Sequence, residues 1–462
     1  MTSKRSLLIL LPVLAIAVFL MATRNDEEQV ANDLAKRQKA ATAIASASPA
    51  DLIQSEIRLS STLLATQDAG KQSWFIDSEK SGSFIEIPFR PSPDGFIPPP
   101  KVTKETPANA QRSNPGYVGA NACAECHQQK HAGFVHTAHH RTSGLVAGDN
   151  VAGAFAAPQN EVLTSDDSLK YRMLAEGSQR FQQIDFADMQ FKVPMDVFTG
   201  SAKSGQSYLY WHGDALFQDH VSYLAGADQW IPSPGFQDNH VSFSRVIRLA
   251  CLECHTTYVK EKRAPNFYHA DSAIWGISCE RCHGPGQQHV DYHHQNPEAK
   301  KSMHIVHPKS LSRQSQLDIC GQCHSGSFRL LGDAFSYRPG DDLSKHHELV
   351  NPDAQGVGGI HTSNQLTRLS MSKCFKESEM TCTTCHNPHQ NERGKTSVFT
   401  EACKSCHEVN DCGKFDQLGA AQINEQCISC HMPIGKNESM KIQVSRGSFT
   451  VEMIDHYIRI DQ

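Results

Sequence analysis

Cysteine and histidine recur along this chain in one fixed pattern, Cys-x-x-Cys-His. It appears at Cys123/Cys126/His127, Cys251/Cys254/His255, Cys279/Cys282/His283, Cys320/Cys323/His324, Cys382/Cys385/His386, Cys403/Cys406/His407 and Cys427/Cys430/His431, numbered sites 1 to 7 below. Two thiols three residues apart reach the two vinyl groups on one edge of a porphyrin as thioethers, and the histidine that follows ligates the iron from below. A single copy would also suit a zinc knuckle or a redox dithiol. Seven copies, each followed by histidine, point to seven covalently attached haem c groups, with the seven motif histidines as proximal ligands. The motifs use fourteen of the sixteen cysteines and leave Cys374 and Cys412. For those two the alternatives are a disulfide, in an oxidising compartment, or free thiols, buried or reactive.

Of 25 histidines, seven are proximal ligands and the surplus suits irons with histidine on both faces. His289 follows a Gly-Pro-Gly turn after site 3, which lets the chain reverse and present an imidazole to another iron. His389, three residues beyond His386, is too close to reach the opposite face of the same iron and is expected on a neighbouring one. His136 and His139 lie at helical spacing after site 1, flanked by His131 and His140, and at least one should be a distal ligand. His361 and His456 stand alone, where a structural or surface role is the default; irons in need of sixth ligands make a ligand role equally reasonable. The candidate distal set is therefore His139, His289, His389, His136, His361, His456 and His131. His212, His220, His240, His269, His293, His294, His304, His307, His346 and His347 are expected to face solvent, with one or two ligands not distinguishable among them.

The elements that must position these groups are unusual in composition. Hydrophobic residues make up 39% of the 462 residues and aromatic ones 8%, thin for a conventional core, so haem is expected to supply apolar mass. The net charge of -5, without a basic pattern, argues against nucleic acid as a partner. Lys4 and Arg5 precede an apolar run, Leu7 to Ala22, with the form of an export signal. Haem attachment of this kind occurs outside the bacterial cytoplasmic membrane, so export to its periplasmic side is expected on chemical grounds too. At sixteen residues with Pro12 inside, the run is short for a span and lacks a clear cleavage site, so residues 1–25 read as an export signal or a membrane anchor.

Residues 26–116 read as a stalk: a polar, Ala-rich stretch with helical spacing around Val30, Leu34 and Ala40, a part to about Ile87 left open, and a linker with eight prolines between Pro88 and Pro115. Residues 117–462 form the haem-bearing body. About 125 residues separate sites 1 and 2 without a cysteine, and there Tyr171, Met173, Phe181, Ile184, Phe186, Phe191 and Val193 alternate as in strands. Ser201 to Gln206 reads as a turn before Tyr208-Leu209-Tyr210-Trp211. The expected fold class is thus a mainly α and irregular multihaem scaffold, with short helices after each motif histidine and a β-rich insert at about 165–248. From site 2 onward, first cysteines follow one another at 28, 41, 62, 21 and 24 residues, which forces neighbouring haems close together.

Three stretches carry a resemblance: Tyr117-Val118-Gly119 before site 1, Cys279 to His289 with its Gly-Pro-Gly, and Cys382-Thr-Thr-Cys-His-Asn-Pro-His389. Over about residues 117 to 460 the chain resembles the multihaem cytochrome superfamily that includes the tetrahaem cytochromes of nitrifying bacteria, octahaem tetrathionate reductase and hydroxylamine oxidoreductase. The resemblance implies closely packed haem pairs, distal ligation by residues such as His289 and His389, and periplasmic electron transfer. No Cys-x-x-Cys-Lys site occurs, no tyrosine can be matched to a haem cross-link, and seven motifs equal neither the five nor the eight of the enzymes. The preferred reading is a carrier of single electrons, with redox proteins of the periplasm or membrane as partners. The alternative is an oxidoreductase acting on a small nitrogen or sulfur compound at one open haem, with Arg281, Arg368 or Lys373 as polarising groups. A third is an adaptor whose insert docks a partner complex.

Overall fold

Period-two burial organises the stretch between the first two sites. In Leu169–Glu176, Leu169, Tyr171 and Met173 are buried while Lys170 and Arg172 are half-buried, the signature of a strand with one covered face. In the computed structural model, which describes residues 56–58, 63–68, 73–78, 83–91, 115–148, 150–237, 239–350, 360–444 and 447–460, this strand belongs to an antiparallel meander. Its members are Glu161–Leu163, Leu169–Glu176, Gln179–Phe186 and Met189–Pro194. A seven-stranded sheet lies beside it, ordered Thr256–Arg263, Phe267–Trp275, Ala215–Leu224, Gly205–His212, Val197–Thr199, Ser143–Leu145, with Gln229–Pro232 also paired to Ala215–Leu224.

The two sheets are tied by a buried amide. Gln182 of the meander donates to the Val221 carbonyl at 2.7 Å and accepts from the Val221 N–H at 2.9 Å, so neither polar group is buried unpaired. Around this link Tyr171, Met173, Ile184, Phe186, Tyr208, Tyr210 and Phe243 form a continuous core of almost wholly buried side chains. Each such side chain contributes about 1.5–3 kcal/mol by leaving water. Phe84–Ile87 lies inside a further sheet, antiparallel to Ser73–Ser78 and parallel to His240–Ser242.

The chain divides into two units, Met1–Glu56 with Thr66–Gln72, and Ile57–Ala65 with Ser73–Gln462. The meander, the seven-stranded sheet and all seven motifs belong to the second. The part to Ile87 that the sequence leaves open contains the strands Glu56–Arg58, Leu63–Asp68, Ser73–Ser78 and Phe84–Ile87. The run Leu7 to Ala22, the expected helix around Val30 to Ala40 and residues 92–114 lie outside the described residues. Among the described residues no helix is long and apolar enough to cross a membrane.

The expectation of a mainly α scaffold is corrected by this architecture. Strands hold more of the described residues than helices, and β structure reaches well beyond 165–248. Thr256–Arg263 and Phe267–Trp275 form a hairpin between sites 2 and 3, Phe328–Leu330 pairs with His347–Leu349 after site 4, and Ile434–Val444 pairs with Gly447–Ile454 after site 7. The missed strands are short or carry charged and polar residues at alternate positions, a weak signal beside motifs of such density. Helices also fall differently from the expectation. Leu249–His255, Glu280–His283, Arg313–His324 and Phe415–His431 run into their histidines and end there, so the motif is the last turn of a helix more often than the start of one.

Two histidines expected in solvent are buried. His220 is wholly inside the β core, stacked on Tyr171 with ring centroids 5.1 Å apart, and burial lowers its pKa to about 3. His347 lies in the hairpin after site 4, stacked on Phe328 at 4.0 Å, and burial lowers its pKa to about 4. Stacking on an aromatic face compensates a neutral imidazole for lost water. Replacing Ile184, at the centre of the β core and away from the cavity of the motifs, by alanine should cost about 2–5 kcal/mol of stability. Thermal unfolding followed by circular dichroism measures this, and the visible absorption spectrum should not change.

Candidate haem-binding site

From site 1 through the C-terminal hairpin, outside the β core, side chains leave a space rather than fill one. All twenty-one cysteines and histidines of the seven motifs line one connected cavity of about 4020 Å³. That is several times the roughly 300–1,000 Å³ of a pocket for one drug-sized ligand. The buried apolar cluster in this half is small, Leu317, Leu369 and Phe375, so the β sheets carry the side-chain core and the motif half is built around the cavity.

The sheet edge sets the first groups in place. Ser143 donates to the His255 carbonyl at 2.5 Å and accepts from the Gly276 N–H at 2.8 Å, while Ile277 donates to the His139 carbonyl at 3.0 Å. These bonds hold the loop of His139 against sites 2 and 3. Gly276 is required there: its φ is +70°, and a Cβ would stand 2.1 Å from the His140 carbonyl oxygen. Gly133, in the helix Gln128–Phe134, plays a similar part beside His389, whose carbonyl would be 2.5 Å from an added Cβ. Glu280, inside site 3, accepts from the N–H groups of Val118 and Gly119 at 2.8 Å each and of Gly286 at 2.9 Å. One carboxylate thereby clamps the start of the site 1 helix and the Gly-Pro-Gly turn to site 3.

Four of the candidate distal histidines face motif histidines across the cavity. Ring centroids are 6.4 Å apart for His127 and His289, 6.1 Å for His283 and His389, 6.2 Å for His139 and His324, and 6.1 Å for His386 and His456. Interplanar angles are 16°, 25°, 71° and 22° in the same order. With metal–imidazole bonds of about 2.0–2.1 Å, the zinc value, and a ring centroid roughly 1.1 Å behind its nitrogen, two imidazoles on one metal should lie about 6.3 Å apart. All four pairs have that spacing, so the residues present fit an iron held from both faces.

Hydrogen bonds fix the orientation of several rings. Nδ1 donates to a backbone carbonyl in His283 (Val306, 2.9 Å), His324 (Thr362, 2.6 Å), His431 (Arg459, 2.9 Å) and His289 (Met303, 2.8 Å), and His255 Nδ1 lies 3.1 Å from the Thr142 hydroxyl. A proton held on Nδ1 leaves the Nε2 lone pair for a metal. Burial lowers the pKa of His139 and of His456 to about 4, and it also lowers those of His255, His283, His324, His386 and His389, which keeps these rings in the neutral, metal-ligating form.

The other three candidates line the cavity in different ways. His136 Nδ1 accepts from Arg141 at 3.1 Å and His361 Nδ1 accepts from the Ser363 N–H at 3.0 Å, so in a neutral ring the proton sits on Nε2 and the ligand orientation is missing. His131 has its Nε2 buried without a hydrogen-bond partner, and so does His293, a cavity-lining residue that the sequence assigns to solvent. Nothing in the sequence around His293 marks it; it follows His289 by one helical turn, and that spacing is the signal that could have found it.

Thiols of different sites lie close together. Cys123 neighbours Cys279, Cys254 neighbours Cys323, and Cys320 neighbours Cys382. Cys282 is within electrostatic reach of Cys323, and Cys403 of both Cys385 and Cys427. Cys374 and Cys412 are unbridged, which corrects the disulfide alternative; Cys374 neighbours Cys385 and Cys412 neighbours Cys427.

Comparison with known proteins points in the same chemical direction. The family described as cytochrome c554 and c-prime matches residues 237–284, the segment that holds sites 2 and 3 and the hairpin between them. The multiheme cytochrome MtrA of Shewanella baltica (strain OS185) is 28% identical over 194 residues, which are 39% of this chain and 52% of that protein. The chain thus spans about half the length of this curated relative. An undecaheme cytochrome from the S-layer of Carboxydothermus ferrireducens overlaps 74% of this chain and 53% of its own at 16% identity and a TM-score of 0.33, too low for the folds to be called alike. The chain is similar to multihaem c-type cytochromes, and this similarity together with the motifs implies covalently bound haem c.

Glu280→Ala should destabilise the protein by roughly 1–3 kcal/mol for each N–H left without an acceptor. Glu280→Gln, which keeps one acceptor oxygen, should cost less, and thermal unfolding of the purified variants checks the order.

Proposed function

We propose that the chain binds seven haem c groups and carries single electrons among them. The observation that carries this reading is that all seven motifs line one cavity with thiols of different sites close together. A thiol joined to a porphyrin edge brings that edge with it, so adjacent thiols imply adjacent macrocycles. The thiol neighbours give the order 1–3–4–5–6–7, with site 2 joined at site 4. Haem supplies reversible one-electron iron chemistry; the residues supply axial nitrogen and spacing.

His289, His389, His139 and His456 are the proposed distal ligands at sites 1, 3, 4 and 5, and His131 and His293 are further cavity-lining imidazoles whose Nε2 has no hydrogen-bond partner. The three polarising groups considered from the sequence each have an acidic partner. Arg281 pairs with Glu253, Arg368 with Asp455, and Lys373 with Glu377 on the surface. This favours electron carriage over turnover of a small nitrogen or sulfur compound. Export to the periplasmic side of a bacterial membrane, through the run Leu7 to Ala22 as signal or anchor, and redox proteins as partners complete the reading. Kinship with octahaem tetrathionate reductase and hydroxylamine oxidoreductase is supported by the Cys279–His289 and Cys382–His389 segments.

The intact mass of the exported protein should exceed that of its processed polypeptide by seven haem groups; fewer additions would reduce the count at identifiable cysteines. In His389→Ala the site 3 iron should lose its sixth ligand, giving one high-spin signal by electron paramagnetic resonance where the parent protein shows a low-spin one. An unchanged spectrum would refute the pairing of His283 with His389.

A further inference from the structure

The two residues between the cysteines of a Cys-x-x-Cys-His motif have no part in attachment, and in most of these sites they are free to face solvent. At sites 2, 3 and 4 they do not. Glu253, Arg281 and Gln322 are 1%, 4% and 3% exposed. They also bond to one another across sites far apart in sequence. The Arg281 guanidinium donates to the Glu253 carboxylate at 3.3 Å and to the Glu253 carbonyl at 3.1 Å, and the Gln322 amide donates to the Arg281 carbonyl at 3.2 Å. The second Glu253 oxygen accepts from the Phe335 N–H at 2.7 Å, and the Phe335 ring lies 5.5 Å from the guanidinium carbon. Arg281 also neighbours the Cys323 thiol of site 4.

Such a pair is a poor choice for stability alone. Two charges taken out of water lose hydration that their mutual attraction only about repays, and well-packed apolar residues often do as well. What an apolar replacement cannot supply is a fixed charge a few ångströms from the attachment points of three irons. In a low dielectric a positive charge favours the reduced iron and a negative charge the oxidised one.

We propose that Glu253, Arg281 and Gln322 form a positioning unit that locks sites 2, 3 and 4 together, and that the Arg281–Glu253 pair sets the reduction potentials there. This rests on the reading of those sites as haem sites. Site 4 is the junction in the order of sites, so the unit acts where the branch from site 2 meets the main path. Arg281 touches no iron ligand directly; it acts through the charge it holds and the backbone it ties.

The test compares the full-length holoprotein with Arg281→Gln, Arg281→Lys and Glu253→Gln, using intact mass for haem content and a spectroelectrochemical titration for midpoint potentials. Arg281→Gln should shift at least one midpoint downward and Glu253→Gln should shift one upward. Each shift should be about a tenfold change in the oxidised-to-reduced ratio at fixed poise, about 59 mV for a one-electron couple. Arg281→Lys should remain near the parent value. A purely structural role would admit water in both neutral variants and move both in the same direction; that result, or no shift at full haem content, overturns the proposal. If one neutral variant loses haem, the sign of the shift in the other decides. If both do, Arg281→Lys decides: full haem at parental potentials supports the unit, and haem loss there overturns the electrostatic role. A parent protein without haem would instead refute the functional reading, which the mass measurement detects separately.

Discussion

Fourteen motif thiols and seven motif imidazoles converge on a single cavity that the chain's own side chains do not fill, and the rest of the structure follows from that geometry. A cavity of this size lined by unbonded polar and apolar groups forfeits dispersion contacts along its whole surface. It is tolerable only if something else makes those contacts, and a covalently held macrocycle does so without the entropy cost of a separate binding event at each folding. The need to enclose it explains why the motif half has a small buried cluster and why its helices are short and end at the ligands.

The β sheets are the counterpart of that hollow. They bring a conventional core, with Tyr171, Ile184, Phe186 and Tyr210 among its buried members, and a rigid edge from which Ser143, Thr142 and Gly276 hold the first sites. Rigid elements place ligands more accurately than loops. Here the edge strand Ser143–Leu145 and the hairpin strand Thr256–Arg263 do this for His139 and His255, which lie just outside those strands. Of the four distal candidates, His289 lies in the helix Gln287–Gln295, held by the Met303 carbonyl, while His139, His389 and His456 lie outside the longer helices and strands, with glycines where the chain approaches His140 and His389 closely.

Several buried polar groups in the motif half are shared between sites. Glu280 joins sites 1 and 3, Arg281 joins sites 2, 3 and 4, and the Arg368–Asp455–Arg459 cluster joins the segment before site 5 to the strand end after site 7. Each includes a charged group bonded to partners from distant sequence. Removal of any one leaves its partners buried and unpaired, so the sites are coupled mechanically as well as by proximity.

The motif spacing by itself determined the attachment chemistry, because thioether reach and an adjacent imidazole are local requirements met within five residues. The sequence also marked seven candidate distal histidines, by helical spacing after site 1, a turn, a short interval or isolation; four of them, His139, His289, His389 and His456, face motif histidines and three, His131, His136 and His361, do not. Which motif histidine each one faces was decided by the tertiary structure, since the partners are up to 185 residues apart, as for His139 and His324, and pairing depends on where the sheets and turns carry the chain. The balance of strand and helix was likewise hidden: hairpins such as Phe328–Leu330 with His347–Leu349 are stabilised by neighbours rather than by their own three-residue strands. His220 and His347 show the same limit, because a histidine enters a core only when a distant aromatic ring is brought to its face.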